Sequence, residues 1–220
     1  MSSSENREAA LIAEIASGTT HEIRNILAIV KESAGLIDDL IYSFDRRGSL
    51  DQDKIKRSIG RIEAQVARGA ALLSNLSRFA HSLDEVEDTL ELNQEVEQVA
   101  FLCQHRARRK RQVLTVQPAG QSPTLTVNPF QFQMTLFTAV ECCIEQLPQG
   151  STLVISTERE NDRSIVEFTG EAGDQAMPST PTEATGWSRL LELVDDLGAS
   201  LEVTRSAYGF RLGLPVTRAA

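Results

Sequence analysis

The sequence predicts an α+β protein in which an N-terminal antiparallel helical hairpin precedes a C-terminal α/β sandwich. Three observations carry this prediction. Residues 5–44 contain no proline and repeat their apolar side chains at helical spacing over about five heptads. Residues 55–80 show the same spacing. From residue 89 onward, short segments of alternating apolar character take turns with helical stretches, which is typical of a sheet packed against helices.

The first segment places its apolar side chains on one side of a helix that advances about 100° per residue. The residues within roughly 80° of one direction are Ile12, Ala16, Thr19, Ile23, Ile26, Val30, Ile37, Leu40 and Phe44. His21 falls roughly 180° from the centre of this stripe and is expected to face solvent or a partner. Glu22, Arg24 and Asn25 are expected beside it on the outside of the helix.

The second segment predicts the other arm of the hairpin. Residues 45–49 predict a turn, and Ser49 is predicted to cap the next helix. The apolar face of that helix consists of Ile55, Ile59, Ile62, Val66, Ala70, Leu73, Leu76 and Ala80. Two helices leave a stripe of this width exposed, so we expect the hairpin to dimerise into a four-helix bundle. The alternative is a monomer in which the C-terminal region folds back over the stripe.

Residues 82–88 are mostly acidic and predict a connector, which places one domain at residues 1–83 and a second at 84–220. Strands of the second domain are predicted at 89–92, 113–117, 125–127, 152–158, 164–169, 200–205 and 210–214. Its helices are predicted at 94–110, 129–145 and 187–197. Pro129 opens the second of these helices and Gly198 ends the third. Residues 171–186 predict an exposed loop.

Composition limits the classes of function. The net charge of −9 argues against general nucleic-acid binding by the whole chain. No apolar run approaches the ~20 residues that cross a bilayer, and the N-terminus has no secretion signal, so a cytoplasmic protein is expected. The three cysteines form neither a disulfide framework nor a metal-ligand spacing and are expected to be reduced. The basic run at 106–111 fits either a helix C-terminus or a docking patch for an acidic partner.

The hairpin and the α/β region together resemble the catalytic core of a bacterial sensor histidine kinase. The segment Thr20-His21-Glu22-Ile23-Arg24-Asn25-Ile26-Leu27 is similar to the H-box of that family, with Ile26 in place of the usual proline. The resemblance implies that His21 is the phosphorylated residue and that Glu22 is its acid/base neighbour. It also implies that Asn25 positions water in phosphatase reactions. Arg24, on the outer half of the helix, is a candidate electrostatic helper.

The second half departs from this family at the positions that bind nucleotide. In the segment that resembles the N-box, Thr138 and Cys142 stand where asparagines are expected, and a thiol is a poor ligand for magnesium. Further on, Thr169 replaces the aspartate that reads adenine, and Glu171 replaces a glycine. The last glycine-rich box is reduced to Ala184-Thr185-Gly186-Trp187, where a carboxylate and an indole nearby are expected to crowd phosphates. The resemblance therefore implies a nucleotide-binding fold without nucleotide.

A good H-box with a degraded ATP site resembles the dimeric histidine phosphotransferases of phosphorelays. Such a protein is expected to form a homodimer, to bind response-regulator receiver domains and to pass a phosphoryl group between their aspartates through the neutral imidazole of His21. It needs no bound cofactor, because the receiver supplies Mg²⁺. Three alternatives stay open: an ATP-dependent kinase with divergent boxes, a non-enzymatic module that binds receivers or inhibits a kinase, and a receiver phosphatase that uses Asn25.

Overall fold

The computed structural model describes residues 3–47, 51–172, 180–204 and 208–215. The chain divides into two compact units, Met1–Ser77 and Arg78–Ala220. The assignment of functional domains to residues 1–83 and 84–220 stays a prediction. In the part of the chain that the structure describes, none of the helices has the length and apolarity that crossing a bilayer requires.

The first unit is a hairpin of two long helices, α1 (Ser3–Arg47) and α2 (Gln52–His81), of which α2 ends in the second unit. The helices are antiparallel, because Glu22 forms an ion pair with Arg68, and Glu32 lies 3.9 Å from Arg61. The predicted hairpin is therefore confirmed.

The face of α1 that packs on α2 is narrower and more polar than the predicted apolar stripe. The residues buried along it are Ile15, Thr19, Glu22, Ile26 and Ser33. Several residues of the predicted stripe, among them Ile23 and Val30, are only half-buried, and Ala16 and Phe44 are exposed. One helix covers only part of a broad apolar stripe, and the remainder stays exposed.

The connection between the helices differs from the prediction. Residues 45–47, predicted as a turn, are helical. Ser49, the predicted N-cap, lies outside the described residues. Asp51 caps α2 instead, because its Oδ1 accepts a hydrogen bond from the Lys54 backbone N–H at 3.0 Å. This backbone hydrogen bond lowers the pKa of the Asp51 carboxyl.

The second unit is an α/β layer. Its strands are β1 (Asp88–Glu91), β2 (Val113–Gln117), β3 (Thr124–Val127), β4 (Thr152–Glu160), β5 (Arg163–Glu171), β6 (Ser200–Val203) and β7 (Gly209–Pro215). Its helices are α3 (Leu92–Arg109), α4 (Pro129–Gln146) and α5 (Trp187–Asp196), with a short 3₁₀ turn at Pro181–Glu183. The main sheet has the order β2-β4-β5-β7-β6, and β1 pairs with β3 in a separate ribbon.

The main sheet is mixed, since β2 and β4 are parallel and its other neighbours are antiparallel. Leu153, Ile155 and Phe168 are buried on one face, whereas the alternate residues of β4 are half-buried or exposed. Phe168 stacks on Phe210 of β7 with ring centroids 4.8 Å apart. This pattern is typical of a sheet covered by helices on one side. The predicted fold class, a helical hairpin followed by an α/β layer, is confirmed.

Candidate functional site

His21 lies on the side of α1 that helical spacing predicted, and it is exposed. Asn25, one turn further along, is also exposed. The two side chains meet, with Asn25 Nδ2 3.2 Å from His21 Nδ1. Residues four apart on a helix are neighbours, so regular α-helical backbone is sufficient to bring this pair together. The contact holds the imidazole at one ring nitrogen and leaves the other end of the ring pointing away from Asn25.

The donor and the acceptor in this contact depend on the tautomer of the imidazole. When the carboxamide N–H donates to Nδ1, the ring proton resides on Nε2. When the carboxamide is rotated by about 180°, Nδ1–H donates to Oδ1 and Nε2 carries the lone pair. Only the second arrangement makes Nε2 a nucleophile. Asn25 therefore contacts His21 at Nδ1, and its role in the chemistry stays a prediction.

Glu22 does not share the exposure of its neighbour. Only 7% of the residue is exposed, and its Oε1 forms an ion pair with the Arg68 guanidinium of α2. The prediction of an outward-facing carboxylate at this position is therefore wrong, because the Glu22 side chain is turned toward the second helix. Arg24, in contrast, is exposed as expected. The acid/base role of Glu22 and the electrostatic role of Arg24 stay predictions.

Arg68 is the residue at this site that the sequence reasoning missed. The sequence did contain a signal that Glu22 is buried. Glu22 follows Thr19 by three residues and precedes Ile26 by four, so it lies on the same face of the helix as these two buried residues. A carboxylate at that spacing falls on the packed face of the helix and requires a partner there. Periodicity alone does not identify which residue of α2 supplies it.

In the second unit, the two positions where the resemblance expects asparagines are closed. Thr138 and Cys142 are 7% and 1% exposed. Gly186 lies over both, because a Cβ atom added there would be 3.2 Å from Cys142 Sγ and 3.7 Å from Thr138 Cγ2. The backbone before α5 thus packs directly against the helix face that carries these residues.

The chemistry of Cys142 does not suit a hard cation. Burial raises the pKa of its thiol to about 12, and the charges of Glu145 and Glu141 contribute to the same shift. The thiolate is therefore almost absent near neutral pH, and a protonated thiol is not a metal ligand. Among the residues that the structure describes, no group of three or more His, Cys, Asp and Glu side chains is placed to hold a metal ion.

Glu145 fastens the segment before α5 to α4. Its carboxylate accepts hydrogen bonds from the Thr185 backbone N–H at 3.1 and 3.2 Å, and from the Thr185 hydroxyl at 2.6 Å. Trp187, which was expected to crowd a nucleotide cleft, is instead buried, and its ring is perpendicular to that of Phe210 with the centroids 5.2 Å apart. Glu171 is exposed. The remnant of the last glycine-rich box is therefore a packed helix start.

Comparisons with known proteins concern the fold. A comparison with protein-family models and one with curated proteins each found no match. Among solved structures, the nucleotide-free catalytic domain of the histidine kinase ThkA is 15% identical, with a TM-score of 0.49, over 60% of this chain and 97% of that one. The Acinetobacter baumannii histidine kinase AdeS is 14% identical, with a TM-score of 0.47, over 90% of this chain and 98% of that one.

A third solved structure is ThkA in complex with the response regulator protein TrrA. It is 16% identical to this chain, with a TM-score of 0.49, over 96% of this chain and 64% of that one. At such identities the likeness concerns the fold alone. In its fold the chain is similar to these histidine kinase structures, in line with the resemblance that the sequence predicts.

Proposed function

We propose that the chain is a histidine phosphotransferase, which relays a phosphoryl group between aspartates of response-regulator receiver domains through His21 and does not use ATP. The observation that carries this proposal is the exposed imidazole of His21, held at Nδ1 by Asn25. Phosphoryl transfer needs mainly position and charge stabilisation, and an exposed imidazole oriented by Asn25 supports the first of these.

The proposed step begins with His21 in the tautomer whose Nδ1–H donates to Asn25 Oδ1. The Nε2 lone pair attacks the phosphorus of the receiver's aspartyl phosphate in line, and the bond from phosphorus to the aspartate oxygen breaks. The electron pair of that bond leaves with the aspartate carboxylate, while the proton stays on Nδ1. No separate base is consumed, which agrees with the ion pair that occupies Glu22. The reverse step delivers the group to a second receiver.

The absence of kinase activity is a second part of the proposal. The cover that Gly186 forms over Thr138 and Cys142 supports it, as do the hydrogen bonds between Glu145 and Thr185. Both features occupy with protein atoms the positions at which the family resemblance expects nucleotide ligands. In this proposal Mg²⁺ is supplied by the receiver, and the chain binds no cofactor.

The proposed form is a homodimer. Leu27 is 61% exposed on α1, and Ile59, Val66 and Leu73 are 44%, 58% and 54% exposed on α2. The three α2 residues repeat every seven positions, which is the spacing of a helix face that packs on further helices. A four-helix bundle would bury them. The cytoplasmic location stays a prediction.

The test is transfer from a receiver. A panel of purified receiver domains is phosphorylated with a labelled small-molecule phosphodonor and mixed with the chain. We expect label on the wild type, its passage to a second unlabelled receiver, and no label on His21→Ala, with the circular dichroism spectrum unchanged. Label retained by His21→Ala would overturn the site. Label acquired at His21 from ATP and Mg²⁺ would overturn the absence of kinase activity.

A receiver phosphatase is the second candidate, and the position of Asn25 beside His21 favours it. The two functions respond differently to variants. In a relay, Asn25→Ala loses one hydrogen bond to the ring and should transfer about tenfold more slowly, while His21→Ala should abolish transfer. In a phosphatase, Asn25→Ala should abolish the loss of receiver phosphate and His21→Ala should retain it. Phosphate release and phosphohistidine are measured in the same reaction.

A further inference from the structure

The relay does not use the basic residues that end α3 and precede β2. Arg106 is engaged, since it pairs with Glu141 and its guanidinium lies 5.1 Å from the centre of the Phe137 ring. The four cations that follow, Arg108, Arg109, Lys110 and Arg111, are all exposed, and Lys110 Nζ donates to the Glu145 carbonyl at 3.4 Å. In a chain with a net charge of −9, this is a local reversal of sign.

Arg111 occupies a backbone conformation that favours glycine. Its φ is 56°, its N–H donates to the Arg108 carbonyl at 2.9 Å, and its carbonyl accepts from the Gly150 N–H at 2.9 Å. This is the left-handed residue that commonly follows a helix, where glycine carries no steric cost. The helix dipole favours cations in the last turn of α3, but it does not explain an arginine where glycine fits better. Arginine at this position adds a fourth positive charge to those of Arg108, Arg109 and Lys110.

Hydrogen bonds of Gln112 hold the segment that carries these cations in place. Gln112 donates from Nε2 to the Leu147 carbonyl at 2.6 Å and to the Ile144 carbonyl at 3.2 Å, which joins the start of β2 to the end of α4. The Gln112 N–H donates to the Ala107 carbonyl at 2.9 Å. These bonds hold the end of α3 and the first residue of β2 in one orientation.

β2 is an edge strand beside these cations. Among the described residues it pairs with β4 alone. The Val113 N–H donates to the Ser151 carbonyl at 3.0 Å, so Val113 and Thr115 point their backbone groups at β4. By strand alternation, Leu114 and Val116 direct N–H and C=O toward the open edge. Val113, next to that edge, is 57% exposed.

We propose that residues 108–116, the cationic edge, bind an extended acidic segment of a partner protein as an added strand. The backbone groups of Leu114 and Val116 supply strand pairing, and the cations before them select negative charge. The acidic remainder of the chain repels a long polyanion, which disfavours nucleic acid as the partner. The inference does not depend on phosphotransfer.

The test uses a fluorescent synthetic peptide of alternating valine and glutamate, with fluorescence anisotropy as the readout for the full chain. We expect saturable binding that weakens with added salt and no binding of the valine–lysine counterpart. Arg109→Glu with Arg111→Glu should weaken binding by more than about tenfold, since each reversal removes an attraction and adds a repulsion. Lys56→Glu with Arg57→Glu, a matched reversal at exposed positions of α2, should leave binding unchanged.

Arg111→Gly tests whether the charge of Arg111 contributes to peptide binding when the backbone conformation is retained. Because glycine suits the left-handed backbone, this variant should melt at a higher temperature and yet bind the peptide about two- to fivefold more weakly. Amide hydrogen exchange should show Leu114 and Val116 protected by the peptide and Thr115 unchanged. The proposal would be overturned if both double variants lost binding equally or if Arg111→Gly bound the peptide as tightly as the wild type. It would also be overturned if the peptide protected amides outside β2, or if a DNA duplex bound more tightly than the peptide.

Discussion

The ion pair between Glu22 and Arg68 places a charged group on the packed face of a helical hairpin. Glu22 has a side chain 10% exposed, whereas that of Arg68 is 37% exposed, so the guanidinium reaches from the surface to a carboxylate beneath it. A buried carboxylate requires such a partner, because desolvation without one is costly. The residue next to the candidate phosphoryl acceptor is therefore joined to the second helix of the hairpin.

Arg68→Ala should lower the free energy of unfolding by about 1–3 kcal/mol, since it leaves a buried carboxylate unpaired. Arg61→Ala is the matched control, because Arg61 faces Glu32 at 3.9 Å with side chains 54% and 70% exposed. The control should lose less than about 0.5 kcal/mol. Urea unfolding followed by circular dichroism measures both, and equal losses would contradict a structural role for the Glu22 pair.

Glu95 on α3 is a second buried carboxyl group, and it accepts a hydrogen bond from Gln133 Nε2 at 2.7 Å. Burial raises its pKa, an effect that Gln133 and Arg78 partly oppose and that the nearby charge of Asp88 adds to. The folded state therefore holds this proton more tightly than the unfolded state, whose carboxyl has its ordinary pKa of 4.5.

The sign of the resulting pH dependence follows from that raised pKa. The contribution of Glu95 to stability is present at pH values below 4.5 and is lost as pH rises from there through the raised pKa of the folded state. Glu95→Gln keeps an acceptor for Gln133 and removes the titration. We expect thermal unfolding of this variant to vary less with pH across that range, and an unchanged pH profile would argue against a raised pKa.

The secondary structure elements show how far periodicity predicts this fold. β2 begins and ends at the predicted residues, and α4 begins at the predicted Pro129 and ends one residue beyond the prediction, at Gln146. Proline, glycine and apolar alternation are local signals, so element type and order followed from them. The partner of Glu22 is Arg68 of the other helix, a long-range contact that periodicity does not identify. The cap at Asp51 is local, since its partner is a backbone N–H three residues on, but Ser49 and Asp51 are both residue types that cap helices.

The packing of α4 predicts unreactive thiols. Cys142 and Cys143 on α4 and Cys103 on α3 are buried, and burial raises the pKa of each. With a thiol pKa of about 12, roughly one Cys142 side chain in ten thousand is ionised near pH 8. Ellman's reagent should label the folded chain far more slowly than the chain in denaturant. Rapid labelling of the native protein would show that Gly186 does not keep Cys142 covered.

At the level of the whole molecule, the sequence predicted a broad apolar stripe without revealing how it divides between contacts inside the hairpin and contacts with another copy. The structure makes the division visible, because Ile26 and Leu72 are buried within one chain whereas Val66 and Leu73 are exposed. Amphipathic spacing identifies the apolar face of a helix but not the element or chain that packs against that face. The dimer consequently stays a prediction, and the exposed apolar residues of the hairpin are the surface on which we expect it to form.

Val66→Glu should weaken that dimer by at least about 3 kcal/mol, because a valine buried in each of two copies is replaced by a charge. Sedimentation velocity at several protein concentrations measures the change. Arg57→Glu, an exposed polar position on the same helix, is the control and should sediment as the wild type does. A wild-type chain that stays monomeric at all concentrations, or a Val66→Glu chain that still forms dimers, would contradict the bundle.

The ion pair between Glu22 and Arg68 links the backbone next to His21 to the second helix of the hairpin. If one helix slides or rotates along the other, either this ion pair breaks or Glu22 moves together with Arg68. Because Glu22 directly follows His21 in the chain, a shift of the two helices that keeps this ion pair intact also moves the backbone that carries the imidazole.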